Sequence, residues 1–220
     1  DFSKEQITKI SQIPIDHEKY EIITEISHLK SWIAAISHLG ICAFDTETTS
    51  LDAMRAELVG FSLAVAHKEG NSYNFKAAYV PLTHKESVGD LLGGGLRDGQ
   101  IDFQVALGEL GKLLADEAIL KVAQNLKYDL LVLKQLGLDV KSFDDTMLMS
   151  YVLDAGVGSG STGGHGMDVL SQRWLNHKPI PYKEIAGSGK KSLTFDLIDI
   201  ETAAKYAAED ADVTLRLWHI

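Results

Sequence analysis

GICAFDTETTSLD, residues 40–52, sets a glycine and four apolar residues ahead of two carboxylates, Asp45 and Glu47, with one threonine between them. The run Ile41 to Phe44 is short, continuous and bounded by Gly40, which predicts a buried strand. Side chains two apart on a strand share a face, so Asp45 and Glu47 point the same way and Thr46 turns to the other side. Two like charges that close repel, and burying them unpaired is costly. A hard divalent cation between them resolves both problems.

Two further acidic segments lie far along the chain. Ala203, Ala204, Ala207 and Ala208, followed by Leu215 and Leu217, make a strong helix pattern around YAAEDAD, residues 206–212. On that helix Tyr206 and Asp210 are neighbours, displaced by about 40°, whereas Glu209 lies about 60° to the other side of Tyr206 and Asp212 about 120° away. Asp210 is the better ligand candidate. Between these segments, the apolar run Ile119 to Val122 leads through Gln124 and Asn125 into a helix pattern from Lys127 to Leu136, stopped by Gly137. Asp129 falls in its first turn, where the helix dipole alone favours a carboxylate by roughly 0.3–1 kcal/mol. Singly, each motif is weak. Jointly, each occupies the kind of element that could present it to one shared site.

The flanking residues carry a resemblance. FDTETTSLD, VAQNLKYDLLVL, FDDTMLMSYVLD, HGMDVLSQRWL, EIAGSGKKSLTF and YAAEDADVTL, running from Phe44 to Leu215, are similar to the successive motifs of the proofreading exonuclease domain of family A polymerases, the bacterial DNA polymerase I type. Tyr206, where other branches carry histidine, resembles the DEDDy subclass. The resemblance implies an α/β, RNase H-like fold with a central mixed β-sheet surrounded by helices. It implies two Mg²⁺ ions, with Mn²⁺ able to substitute: Asp45, Glu47 and Asp210 as ligands of the tighter site, and Asp129 with a bridging Asp45 for the looser one. Tyr206 matches the residue that orients the attacking water. Leu51 matches a wedge against the terminal base, Tyr182 an aromatic stacked near the 3′ end, and Gln124, Asn125 and Tyr128 the lining of the terminal-nucleotide pocket. One departure is Gly164, which stands where the family often carries arginine.

The residue types agree with that chemistry. Two divalent ions about 3.5–4 Å apart can activate water and stabilise the leaving oxygen of a phosphodiester, and four carboxylates suffice to hold them. Oxygen-only ligands suit magnesium or manganese. A phenol with an ordinary pKa of about 10 stays protonated at neutral pH, so Tyr206 reads as a positioning group. The implied reaction is 3′→5′ hydrolysis of DNA, releasing nucleoside 5′-monophosphates in a proofreading role. The alternatives are an RNase D-like RNA exonuclease and a catalytically silent structural domain.

Composition bounds the rest. With 220 residues, 45% of them hydrophobic, the chain reads as one domain over 1–220: an N-terminal strand and helix in 1–40, then the catalytic motifs in 41–220. The apolar stretches are too interrupted for a membrane span. Cys42, the single cysteine, reads as a core residue in a reducing compartment, and the resemblance implies the bacterial cytoplasm. The formal charge of −10 is unlike the basic footprint of most nucleic-acid binders. It suggests a single-stranded end held by stacking and terminal contacts and delivered by another domain; the resemblance implies that the end is a DNA 3′ end and the other domain a polymerase domain.

Around the motifs, Tyr20–Ile23 predicts a strand, Thr24–Gly40 a helix, and Leu58–Ala66 with Tyr73–Val80 a hairpin turning at 69–71. Leu91–Gly99 and Ala155–Gly166 read as surface loops, with a border to the substrate cleft as the alternative reading of the second. GSGKKS, residues 187–192, lacks phosphate-loop spacing and reads as a basic loop. The eight histidines show no zinc-ligand spacing. Asp144 and Asp145 precede a helical run, so capping accounts for at least one of them. Trp32, Trp174 and Trp218 are expected in the core.

Overall fold

In the computed structural model, residues 2–70, 72–86, 94–154, 164–189 and 192–220 are described. The sheet has six strands: β1 (Glu21–Ile22), β2 (Ile41–Thr48), β3 (Leu58–Glu69), β4 (Ser72–Pro81), β5 (Leu120–Ala123) and β6 (Phe143–Asp145), in the order β1-β4-β3-β2-β5-β6. β3 runs antiparallel to both β2 and β4, while β1 with β4, β2 with β5 and β5 with β6 are parallel. The sheet is therefore mixed, with helices packed on it. β3 and β4 extend a few residues beyond the expected hairpin, to Glu69 and from Ser72.

The pleat of β2 separates two cores. Cys42 and Phe44 face one side, where α2 (Ile26–Leu39) and α3 (Phe103–Ala115) bury Leu29, Trp32, Ile36, Leu110 and Leu114 against them. α2 ends where the glycine requires: Gly40 adopts φ 73°, and its N–H bonds to the Ile36 carbonyl. Ala43 faces the other side, where α8 (Ile200–His219) crosses the sheet. That contact is built from small residues. Ala43, Ala64 and Ala77 of the sheet meet Ala208 and Ala211 of the helix, and none of the five is solvent-exposed. The strand period carries the Ala43 face onward to Asp45 and Glu47, so both carboxylates look towards α8.

The remaining helices are α1 (Phe2–Ser11), α4 (Lys127–Gln135), α5 (Thr146–Leu153), α6 (Met167–Leu170) and α7 (Tyr182–Ala186). α1 has no counterpart in the sequence reading. Asp145 ends β6 and caps α5, accepting from the Met147 and Leu148 N–H groups at 2.9 and 3.3 Å, and it also accepts from Asn125 and Leu126 N–H. One aspartate thus fastens the starts of two helices. Asp144 instead accepts from Trp218 Nε1 at 2.7 Å.

Three expectations need comment. Trp32 is buried, but Trp174 is 37% exposed at the rim of an apolar groove, so it is not a core aromatic. The described part of Leu91–Gly99 is a loop, pinned by an isolated antiparallel bridge between Leu96 and Lys85. Residues 87–93, which include the first three of Leu91–Gly99, residues 155–163, which are most of Ala155–Gly166, and Lys190 and Lys191 lie outside the described residues.

Enlarging a side chain at the alanine contact is the direct check on this packing. Ala208→Leu forces methylenes between α8 and the sheet, and is expected to lower unfolding stability by about 1–3 kcal/mol in urea titration. A variant as stable as the parent would show that α8 is not tightly seated.

Candidate active site

Asp45 and Glu47 on β2 and Asp210 on α8 each offer a carboxylate oxygen, and these oxygens lie within 4.8 Å of one another. The contact closes because Asp210 lies one turn from Ala207 and follows Ala208, on the part of the helix pressed closest to the sheet. Gly60, paired with Glu47 across β2 and β3, also matters. A Cβ there would stand 2.2 Å from the Tyr79 hydroxyl, so only glycine lets that ring lie beside Glu47. Past Glu47 the ladder slips register, which ends the strand at the site.

The electrostatics of the cluster are one-sided. Burial first, then the neighbouring carboxylates, push Asp45 and Glu47 well above the ordinary carboxylate range. Asp210 is raised by burial and by Glu209, with the Tyr206 hydroxyl opposing the rise. Glu47 Oε1 is buried and has no hydrogen-bond partner. An oxygen-only, desolvated and mutually repelling donor set with an unpaired oxygen fits a hard divalent cation.

Asp129 stands beside this trio, not within it. β5 pairs with β2 only from Ile41 to Ala43, after which the chain turns into α4 and leaves the next stretch of β2 without a strand partner on that side. Asp129, in the first turn of α4, fills the gap. Its Oδ1 accepts from Thr46 N–H at 3.2 Å and Thr46 Oγ1 at 2.5 Å. Burial lifts its pKa to about 7 and the Thr46 bonds hold it down. Thr46, assigned no role from sequence beyond facing away from the pair, is thus the group that fixes Asp129. Its position between the two carboxylates was the only signal.

The proposed substrate groups are spread around the site. Tyr206, Asp210, Tyr182, Pro181, Asp168 and Met167 are among the residues that line a cleft of about 480 Å³. The Tyr182 ring stands edge-on to Tyr206 with centroids 6.0 Å apart and is 41% exposed. Leu51 is 99% exposed in the turn after β2. Asn125 is exposed with φ 60°, and Tyr128 is half-buried with its hydroxyl bonded to Thr48 Oγ1 and the Ser50 carbonyl. Gln124 is buried, its amide already engaged by Thr146 and the His165 carbonyl. His165 bonds Ser150 Oγ through Nδ1, and Gly164 lies against Val169.

Comparison with known proteins decides the family. The sequence profile described as 3′-5′ exonuclease matches residues 20–220. The chain belongs to this exonuclease family. It is 59% identical to DNA polymerase I of Rhizobium leguminosarum over 99% of its own length, and it spans 21% of that relative. Among solved structures, it resembles Escherichia coli RNase D with TM-score 0.54 and 19% identity, over 89% of this chain and 42% of that one. It also resembles Brucella melitensis NrnC with bound Mg²⁺, with TM-score 0.53 and 17% identity, over 90% of this chain and 76% of that one. At such identities the structures speak to the fold, which is RNase H-like.

The site makes a pH prediction for the metal-free protein. Asp129 has a folded pKa of about 7 against an ordinary 3.8, so the folded state binds its proton more readily than the unfolded state does. The stability this contributes is complete below about pH 4 and is lost as pH rises through 7. The stability of the parent minus that of Asp129→Asn should therefore fall across this window, by at most about 1.4 kcal/mol per pH unit. A flat difference, measured by urea unfolding in chelator, would contradict the assignment.

Proposed function

We propose that the chain is a single exonuclease domain, residues 1–220, that hydrolyses the terminal phosphodiester of a DNA 3′ end and releases nucleoside 5′-monophosphates. The observation that carries this reading is the convergence of Asp45, Glu47 and Asp210, from segments 165 residues apart in sequence, onto one cation-sized gap. DNA is favoured over RNA by the identity to a DNA polymerase I, and by the same comparison proofreading beside a polymerase domain in the bacterial cytoplasm is the natural task. No helix among the described residues is long and apolar enough to cross a membrane.

Asp45, Glu47 and Asp210 would hold one Mg²⁺ or Mn²⁺, and Asp129 with Asp45 a second. When bound, the ions supply positive charge to the attacking water and to the leaving 3′ oxygen. The protein's own work is placement. Tyr206, held beside Asp210, is pushed far above the ordinary tyrosine range in the metal-free protein by burial and the surrounding carboxylates, and even an ordinary phenol is protonated at neutral pH. It can orient a water but cannot take its proton. Tyr182 would stack on a base near the 3′ end and Leu51 would wedge against the terminal one, its exposure being suited to that contact. Asn125 and Tyr128 would line the terminal-nucleotide pocket. Gln124, with its amide engaged, would shape the pocket wall instead of reaching out to the nucleotide.

An RNA substrate is the second reading, favoured by the likeness to RNase D. Matched 5′-labelled single-stranded DNA and RNA, incubated with Mg²⁺, separate the two. The expected result is a ladder of shortened DNA and slower loss of RNA, and faster loss of RNA would reverse the assignment. Asp45→Ala should abolish hydrolysis, which also distinguishes a working site from a silent domain. Tyr206→Phe should lower the rate by about 100-fold while metal binding measured by calorimetry is retained. Near-parental turnover by that variant would remove Tyr206 from the mechanism.

A further inference from the structure

On the outer flank of α8, next to Asp210 in sequence, a second convergence of ligand-type side chains has no part in the hydrolysis described above. Glu209 has no solvent exposure, and its Oε1 is reached by His17 Nε2 at 2.6 Å and His177 Nε2 at 2.7 Å. The three ligand atoms lie within 4.8 Å of one another. The other carboxylate oxygen accepts from Ile180 N–H at 2.6 Å, which fixes the plane of the group. We propose that His17, His177 and Glu209 form a zinc site, distinct from the carboxylate site and shared by three remote parts of the chain.

The donor set argues for zinc over the hard ion of the neighbouring cluster. Two imidazoles and one carboxylate suit Zn²⁺, whereas oxygen-only sites suit Mg²⁺. Three protein ligands leave a fourth position for water. The histidines supply the opening, since their side chains keep 32% and 24% of their exposure while the glutamate keeps none. Coordination through each Nε2 needs a neutral ring with its proton on Nδ1, and each ring must withdraw by roughly 0.6–0.7 Å from Glu209 so that the ligand atoms stand about 3.3 Å apart around an ion at about 2.0–2.1 Å from each nitrogen. The Ile180 bond plays the orienting part that outer hydrogen bonds play at metal sites. An ion here would tie the N-terminal turn at His17 and the 177–180 segment, which leads into the Tyr182 cleft, to the helix that carries Asp210.

The test uses the chain with Asp45→Ala and Asp129→Ala, which disables the carboxylate site, so it stands whether or not that site is a nuclease. Zn²⁺ alone is titrated in competition with a chromophoric chelator, and Co²⁺ alone is followed by visible absorption. Expected are one zinc per chain and the intense bands of four- or five-coordinate cobalt with nitrogen ligands. Changes to outer groups alone cost roughly 10–100-fold in metal affinity, so His17→Gln or His177→Gln, each losing a direct ligand, should weaken binding by about 100-fold or more. Both should also lose the cobalt bands. The proposal is overturned if the parent binds no zinc, or if either folded histidine variant binds as tightly as the parent. It is equally overturned if cobalt gives only the weak spectrum of an all-oxygen site. Circular dichroism establishes folding; should His177→Gln not fold, His17→Gln, on a short partly exposed turn, decides the matter.

Discussion

The seating of α8 on the sheet is the constraint from which the site follows. A carboxylate on a helix reaches one on a strand only when the two backbones are close, and aspartate is short. Leucines at this contact would hold the helix off by their own girth. Ala43, Ala64 and Ala77 beneath Ala208 and Ala211 remove that girth, at the cost of apolar area that larger side chains would bury. The other face of the same sheet does the opposite, with Phe44, Phe61, Leu63 and Val80 filling a thick core under α2 and α3. Stability is thus concentrated on one side, and the thin side is left free to position charge.

That charge is a standing load on the folded state. Desolvation and mutual repulsion act in the same direction on Asp45, Glu47 and Asp210, and no cationic side chain is among the main influences on them. The fold tolerates the trio because the surrounding framework is over-determined: β2 is paired with β3 from Ala43 to Thr48 and with β5 from Ile41 to Ala43, and α8 is tied to the rest of the chain by side-chain bonds. Asp212 and Arg216 of α8 pair at 2.7 Å, and the Tyr20 hydroxyl donates to Asp212. Asp129 differs from the trio. Two donors of Thr46 already satisfy one of its oxygens, so it is placed by hydrogen bonds and needs no ion to be held in position.

Much of this was legible in the sequence because it is periodic. The alternation on β2, the Gly40 and Gly137 stops and the hairpin are local patterns, and the carboxylate positions follow from them. What escaped depends on contacts between remote segments. Thr46 looked like the residue between two others; that β5 ends at Ala123 and so leaves a gap for Asp129 is a property of the sheet. Trp174 looked like a core aromatic, yet the π-helical turn Ser171–Leu175 that carries it leaves the ring 37% exposed at a groove edge. The histidines lacked zinc spacing because spacing presumes ligands on one local element. His17 and Glu209 are 192 residues apart, and only the fold brings them together.

The acidic balance of the chain acquires a more definite sense once the site is in view. On the proposed function, a 3′ end entering this cleft would approach Asp168 and Asp210, so long-range attraction would not draw it in, and binding would come from surfaces that act at contact. Tyr182 and Leu51 are exposed apolar groups of that kind, and neither adds charge. Divalent ions held by the carboxylates would have two effects at once, relieving the repulsion among the carboxylates and offsetting it for the phosphate. An end that does not seat on the aromatic and aliphatic contacts gains nothing from the ions, because its phosphodiester remains outside their reach. Selection at such a site rests on how easily a terminal nucleotide is unstacked and laid against these side chains, a property of the frayed end more than of its sequence.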